Sequence, residues 1–157
     1  MPNVSRLPAA DSYVSALGRA AYNFSYLEWG IVWLAETIAP GFLDRVSGMT
    51  AGTIAREFMT MSTSCSDSDA EALRELASAF TKLVKDRNAL FHGVPYTAER
   101  GEQRLLHLGP GVRRDWSESM IREAAREFEA TAIQANGLLH AGRYEVYMSA
   151  TGKSLSV

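Results

Sequence analysis

Residues 11–39, DSYVSALGRAAYNFSYLEWGIVWLAETIA, decide the fold. Tyr13, Leu17, Ala20, Phe24, Leu27, Ile31, Leu34 and Ile38 recur at alternating steps of four and three, the spacing of one apolar helix face. Asp11 is placed to cap the start, and Pro40-Gly41 to stop the end. A second stripe, Tyr22, Tyr26, Trp29 and Trp33, runs beside the first. A helix apolar on two sides calls for cover on two sides. It is either the central helix of a bundle or part of a subunit interface.

Working outward, residues 50–62 (TAGTIAREFMTMS) read as a shorter helix with Ile54, Phe58 and Met61 inward. The run STSCSDSD at 62–69 reads as a loop whose Ser68 or Asp69 caps the next helix. That helix extends to about residue 92, with Leu73, Leu76, Ala77, Phe80, Leu83, Val84, Leu90 and Phe91 on its apolar side, and Gly93 and Pro95 end it. Residues 94–110 (VPYTAERGEQRLLHLGP) read as a short β-hairpin or ordered loop turning near Gly101. A last long helix spans 117–140, with Ser117 as cap and Ile121, Ala125, Phe128, Ala132, Ala135 and Leu139 on one face. From Gly142 a tail follows in which YEVYM could form a short strand or helix. The expected fold is therefore all-α: an antiparallel four-helix bundle over about 11–140 in a single domain 1–157, with 141–157 as a C-terminal extension.

Composition narrows the class. The 157 residues are 46% hydrophobic, which excludes wholesale disorder, and no apolar run approaches the roughly 20 residues of a membrane span. The single Cys65 excludes an internal disulfide framework. With no basic-then-apolar leader at the start, it points to a cytoplasmic protein. A net charge of -2 argues against coating nucleic acid by bulk charge. The charge is uneven, however. Residues 1–81 carry 5 Lys/Arg against 9 Asp/Glu, whereas residues 82–126 carry 9 against 6, so a confined basic site is possible there.

One residue does not fit its pattern. Extending the third-helix seam through 73, 77, 80, 84, 87 and 91 puts Arg87 at a core-facing position between Val84 and Phe91. An unpaired buried charge costs several kcal/mol. Either the bundle opens there into a polar cavity or a carboxylate meets the guanidinium. Glu28, beside Leu27 and Ile31 at the border of the first seam, is the best candidate for that carboxylate. Asn88 and His92, four residues apart, share one face of the last turns. A cation, an amide and an imidazole at one helix end make a poor core and a good phosphate site.

The segment Arg87-Asn88-Ala89-Leu90-Phe91-His92 resembles the signature of the HEPN domain, in which Arg, often followed by a polar residue, precedes His by a short spacer. A second Arg-to-His match, Arg100 to His107, falls in the hairpin region rather than on a helix. The resemblance implies a small helical bundle, commonly a homodimer whose two motifs face each other across one cleft. It further implies a metal-independent endoribonuclease, a class that includes toxins and defence effectors. In that setting the RNA 2′-hydroxyl attacks the adjacent phosphorus. His92 serves as acid or base, Arg87 clamps the phosphate, and Asn88 orients His92 or binds a non-bridging oxygen. One His per chain makes the composite dimer site necessary for two proton transfers, unless water fills one role.

Lys82, Lys85, Arg113, Arg114, Arg122 and Arg126 are candidates to extend the phosphate track towards RNA, and His107 and His140 read as structural or surface residues. No cofactor or metal is expected. The chain has no Gly-rich phosphate loop, no His-Glu zinc motif, no nucleophile elbow and no pair of cysteines. The competing expectation is a non-catalytic helical module that binds a nucleotide or a protein partner, as an antitoxin or a nucleotidyltransferase adaptor does. A protein inhibitor is a further expected partner.

Overall fold

The computed structural model describes residues 9–66, 69–109 and 112–141. The extension from 142 onward, YEVYM included, lies outside the described residues. Among them the chain forms α1 (Asp11–Ile38), α2 (Phe42–Val46), α3 (Ala51–Ser64), α4 (Ala70–Phe91), β1 (Val94–Thr97), β2 (Gln103–Gly109), β3 (Val112–Trp116) and α5 (Glu118–His140). The protein is predominantly helical with one small antiparallel sheet of order β1-β2-β3.

Local chemistry sets most of the boundaries. Thr50 Oγ1 accepts from the Thr53 N–H at the start of α3, and Ser117 Oγ does the same for Met120 at the start of α5. Asp11 is not the cap of α1. Ala10 holds that position without a side-chain bond, and Asp11 lies in the first turn, where its charge meets the positive helix end. After α1 the chain turns through Gly41 at φ +94, and the Glu36 carboxylate accepts the N–H groups of Gly41 and Leu43. That clamp starts α2, a helix the apolar spacing does not reveal because it is only five residues long. Helix α3 also runs two residues past its expected end at residue 62, to Ser64.

Phe24 is stacked on Phe80 at 6.0 Å and meets Phe128 edge-on at 5.2 Å, which ties α1, α4 and α5 together at the centre of the core. Each such pair contributes about 0.5–1.5 kcal/mol beyond its buried area. Helices α1 and α5 pack along their length. Ser12 Oγ donates to Glu118, the buried Asn23 side chain donates to Ala125 O at 2.9 Å, and Gly30 lies against Ala135. These pairs ascend together, so α1 and α5 run parallel, and the expected all-antiparallel arrangement is corrected. The reason is the sheet. Gly93 after α4, Gln103 beside Ala10, and Trp116 before α5 place it at one end of the molecule, so α4 enters that end while α1 and α5 leave it.

The sheet is larger than a hairpin. Val94–Thr97 pairs with Gln103–Leu106, the connection turns through Gly101 at φ +88, and Leu105–Gly109 pairs in turn with Val112–Trp116. Strand β3 carries Arg113-Arg114-Asp115 between Val112 and Trp116, a polar run whose alternation is too short to read as a strand. Leu105 of β2 and Trp116 of β3 are the sheet's buried side chains among the described residues, and Leu105 lies against Gly93 at the end of α4.

Burial narrows one expectation and corrects another. The described residues leave the second aromatic stripe of α1 largely exposed, against the central-helix alternative: Tyr22, Tyr26 and Trp29 are 65%, 54% and 52% exposed. Trp33 is half-buried and packs edge-on against Trp29. Nor does the α4 core continue through Arg87 to Phe91. Val84 is buried, but Arg87 is half-buried and Phe91 exposed, while Leu83, Ala89 and Leu90 carry the packing to the helix end. The positions keep the helical spacing; what stops is the neighbouring structure.

Candidate functional site

The last two turns of α4 place Asn88 and His92 on one face and Arg87 on the neighbouring one. Arg87 turns towards α1, where its guanidinium lies 5.6 Å from the centres of both the Phe24 and Phe91 rings. Each such contact is worth about 0.5–1 kcal/mol at a partly exposed site. One guanidinium N–H, on Nη1, donates to Asn88 Oδ1 at 3.0 Å. Among the described residues no carboxylate comes within ion-pairing distance of Arg87, so its other donors remain available. Arg87 meets neither alternative the sequence left: it is half-buried against the two phenyl rings, with no carboxylate paired to it among the described residues.

Glu28 is half-buried on α1, and burial pushes its carboxyl above the ordinary value, with the positive charge of Arg87 acting in the opposite direction. The two groups feel each other without forming an ion pair. Asn88 is also half-buried and follows Arg87 round the helix towards α3. His92 is the C-cap of α4. Its backbone N–H bonds the carbonyls of Asn88 and Leu90, while the imidazole is exposed with no bond to any described residue. Asn88 and His92 are one turn apart, with Cβ atoms about 5–6 Å apart in such a pair. Gly93 follows immediately. A Cβ there would come 3.1 Å from Leu105 Cβ and 3.3 Å from the Ala89 and Leu90 carbonyls, so any larger residue needs a neighbour to give way by a few tenths of an ångström where the sheet closes on the helix end. That closure fixes where the helix stops and hence where His92 emerges.

The other expected cations fall in two groups. Lys82 and Lys85 are exposed on α4. Lys85 borders a groove of about 480 Å³ between α3 and α4, together with Asn88 and Arg56. Arg56 was not singled out from the sequence, because an isolated arginine on a short helix carries no signal until α3 is seen beside α4. Arg113 is exposed on β3. Arg114 is engaged by Asp86 and lies 3.8 Å from the centre of the Trp116 ring. Asp86 and Asn88 are two residues apart on a helix, hence on roughly opposite sides, so Arg114 sits across α4 from the Asn88 side. Arg122 and Arg126 are held by Glu118 and Glu123 of their own helix. Arg100, of the second Arg-to-His match, is exposed in the β1–β2 turn. His107 lies on β2 with a buried Nδ1 that has no partner among the described residues, and His140 is exposed at the end of α5.

Chemically, the end of α4 offers a cation with free donors, an amide fixed by that cation, and an unrestrained imidazole. Among the described residues no group of three or more His, Cys, Asp or Glu side chains is placed to hold a metal ion, and no helix is long and apolar enough to cross a membrane. No protein-family model matches the chain, and no curated protein or solved structure is significantly similar to it.

Proposed function

We propose that the protein is a HEPN-type endoribonuclease, a helical bundle whose α4 end cuts RNA through its own 2′-hydroxyl. The single observation that carries this reading is the Arg87–Asn88 hydrogen bond beside an exposed, unbound His92 at the helix C-cap. It supplies anion binding and proton transfer at one place. In the reaction the 2′-oxygen forms a bond to phosphorus and gives up its proton to a base. The bond from phosphorus to the 5′-oxygen breaks, and that oxygen takes a proton from an acid. The products carry a 2′,3′-cyclic phosphate and a 5′-hydroxyl. His92 supplies one of the two proton transfers, and Arg87 stabilises the charge that builds on the non-bridging oxygens.

The second transfer falls to His92 of another copy, across a two-fold cleft in which Glu28 or the bound phosphate offsets the facing Arg87 charges. The uncovered Tyr22, Tyr26 and Trp29 supply the kind of surface that anchors a homodimer. Lys82, Lys85 and Arg113 extend the basic track. The test is incubation of the purified protein with mixed RNA in EDTA, followed by analysis of the product ends. Cleavage with cyclic-phosphate ends is expected, whereas dependence on Mg²⁺ or 5′-phosphate products would overturn the reading. A non-catalytic nucleotide- or protein-binding module is the second reading. It is favoured by the two phenyl rings that partly screen Arg87.

A further inference from the structure

The groove between α3 and α4 has a composition that the motif does not require. Its floor is apolar, formed by the buried Ala55 and Val84. Its rim carries Arg56 and Lys85, both exposed and neither in an ion pair with a described residue. The acids next to them in the chain are committed elsewhere, Glu57 to Arg45 and Asp86 to Arg114. Among the described residues no Asp or Glu lines the groove, in a chain whose net charge is -2.

The polar groups between floor and rim are also set. Thr60 and Thr81 donate their hydroxyl protons to the carbonyls of Arg56 and Ala77, so towards the groove their oxygens act as acceptors. Asn88 has its Oδ1 occupied by Arg87, which leaves its Nδ2 donors free. An apolar slot with fixed acceptors, a fixed donor and two free cations matches one chemical class. A nucleobase has flat apolar faces and a mixed donor-acceptor edge, and the attached phosphates carry the opposite charge.

We infer that the α3–α4 groove is a nucleotide subsite: it seats a base on Ala55 and Val84 and holds the adjoining phosphates on Arg56 and Lys85. The inference deepens the ribonuclease reading and rests on it for the ligand being RNA. Asn88 is shared by the groove and by Arg87, so a nucleotide seated there lies next to the scissile phosphate in the chain.

The experiment uses a fluorescent 2′-O-methyl RNA oligomer, which cannot be cut, titrated with the full-length protein. Gly52→Trp fills the groove from its rim. A Cβ at Gly52 meets only Thr50 Oγ1, at 3.8 Å, so the backbone tolerates the change, and circular dichroism checks that the fold is kept. Binding by the wild type is expected, weakened at least about 5-fold by Gly52→Trp, whose indole takes the place of the base and removes its apolar contact with Ala55 and Val84. Lys85→Ala and Arg56→Ala should each lower the slope of log K against log salt by roughly 0.7. No binding by the wild type, or wild-type binding by all three variants, overturns the subsite. Groove-dependent binding without cleavage of ordinary RNA sustains it and sinks the ribonuclease reading alone. Cleavage with groove-independent binding does the reverse.

Discussion

Arg87 and Arg114 stand at the two margins of the same helix end, each with its guanidinium over aromatic rings. Arg114 also has a carboxylate, Asp86, of which only 16% of the side chain is exposed. Arg87 has only an amide and the distant field of Glu28. The pair teaches that stacking alone does not distinguish a structural arginine from a candidate functional one. The distinction lies in the remaining donors: those of Arg114 meet an anion from the chain, and those of Arg87 await one from outside.

The largest expected effect tests that contrast directly. Arg87→Ala should lower RNA cleavage by about 100- to 1000-fold and His92→Ala by about 100- to 10,000-fold, both with unchanged helical circular dichroism. Arg114→Ala should leave cleavage within a few-fold of wild type. Equal losses in Arg87→Ala and Arg114→Ala would erase the distinction.

The next concerns the pairing of two Arg87 sites across a dimer. Tyr26→Glu with Trp29→Glu should weaken self-association at least about 100-fold in sedimentation equilibrium, and cleavage should fall with it. A wild-type monomer that still cuts RNA breaks the composite site.

A smaller effect belongs to Arg114. Asp86→Ala should cost about 1–2 kcal/mol in urea unfolding, between the values for exposed and fully buried pairs, because the arginine is left over Trp116 without its anion. No change in the unfolding midpoint would demote the pair to surface decoration.

The smallest concerns Glu28. Its carboxyl binds a proton more readily in the folded chain than the ordinary value of 4.5 allows. The folded state therefore holds more protons over the window just above 4.5, and stability falls as pH rises through it. Glu28→Gln removes that loss, so the variant should be more stable than wild type near about pH 7 and nearly equal near about pH 4, read from urea midpoints. A constant difference at both pH values would show that burial of the charge is not the cause.

Much of the helical frame was legible because periodicity needs only the local sequence. The Tyr13-to-Leu34 seam, the Ser117 cap and the stop at Gly93 all follow from short-range rules, whereas Thr50, read as the first residue of its helix, is that helix's cap. What periodicity cannot supply is the neighbour. Arg87 and Phe91 keep the spacing of buried residues although one is half-buried and the other exposed, and Tyr22, Tyr26 and Trp29 keep the look of a second packed face. Strand β3 and the parallel course of α1 and α5 were hidden for the same reason, since both depend on partners far along the chain. In the candidate site, the chemical types of Arg87, Asn88 and His92 were readable. That Arg87 and Asn88 bond each other, that Arg56 joins them, and that Arg114 is already engaged required the packed helices.

The parallel docking of α1 on α5 also bears on how the chain reaches this state. Asn23 finds Ala125, and Ser12 finds Glu118, across separations of 102 and 106 residues. During synthesis α1 emerges well before α5, so the part of its face that α5 covers waits while nearly everything between is made. Contacts of such long range close slowly, and an apolar helix left open for that time is a point of vulnerability to aggregation. The α3–α4 pair, adjacent in sequence, can form early and alone. Final assembly then coincides with the arrival of α5, and the core around Phe24, Phe80 and Phe128 closes only when α5 has arrived.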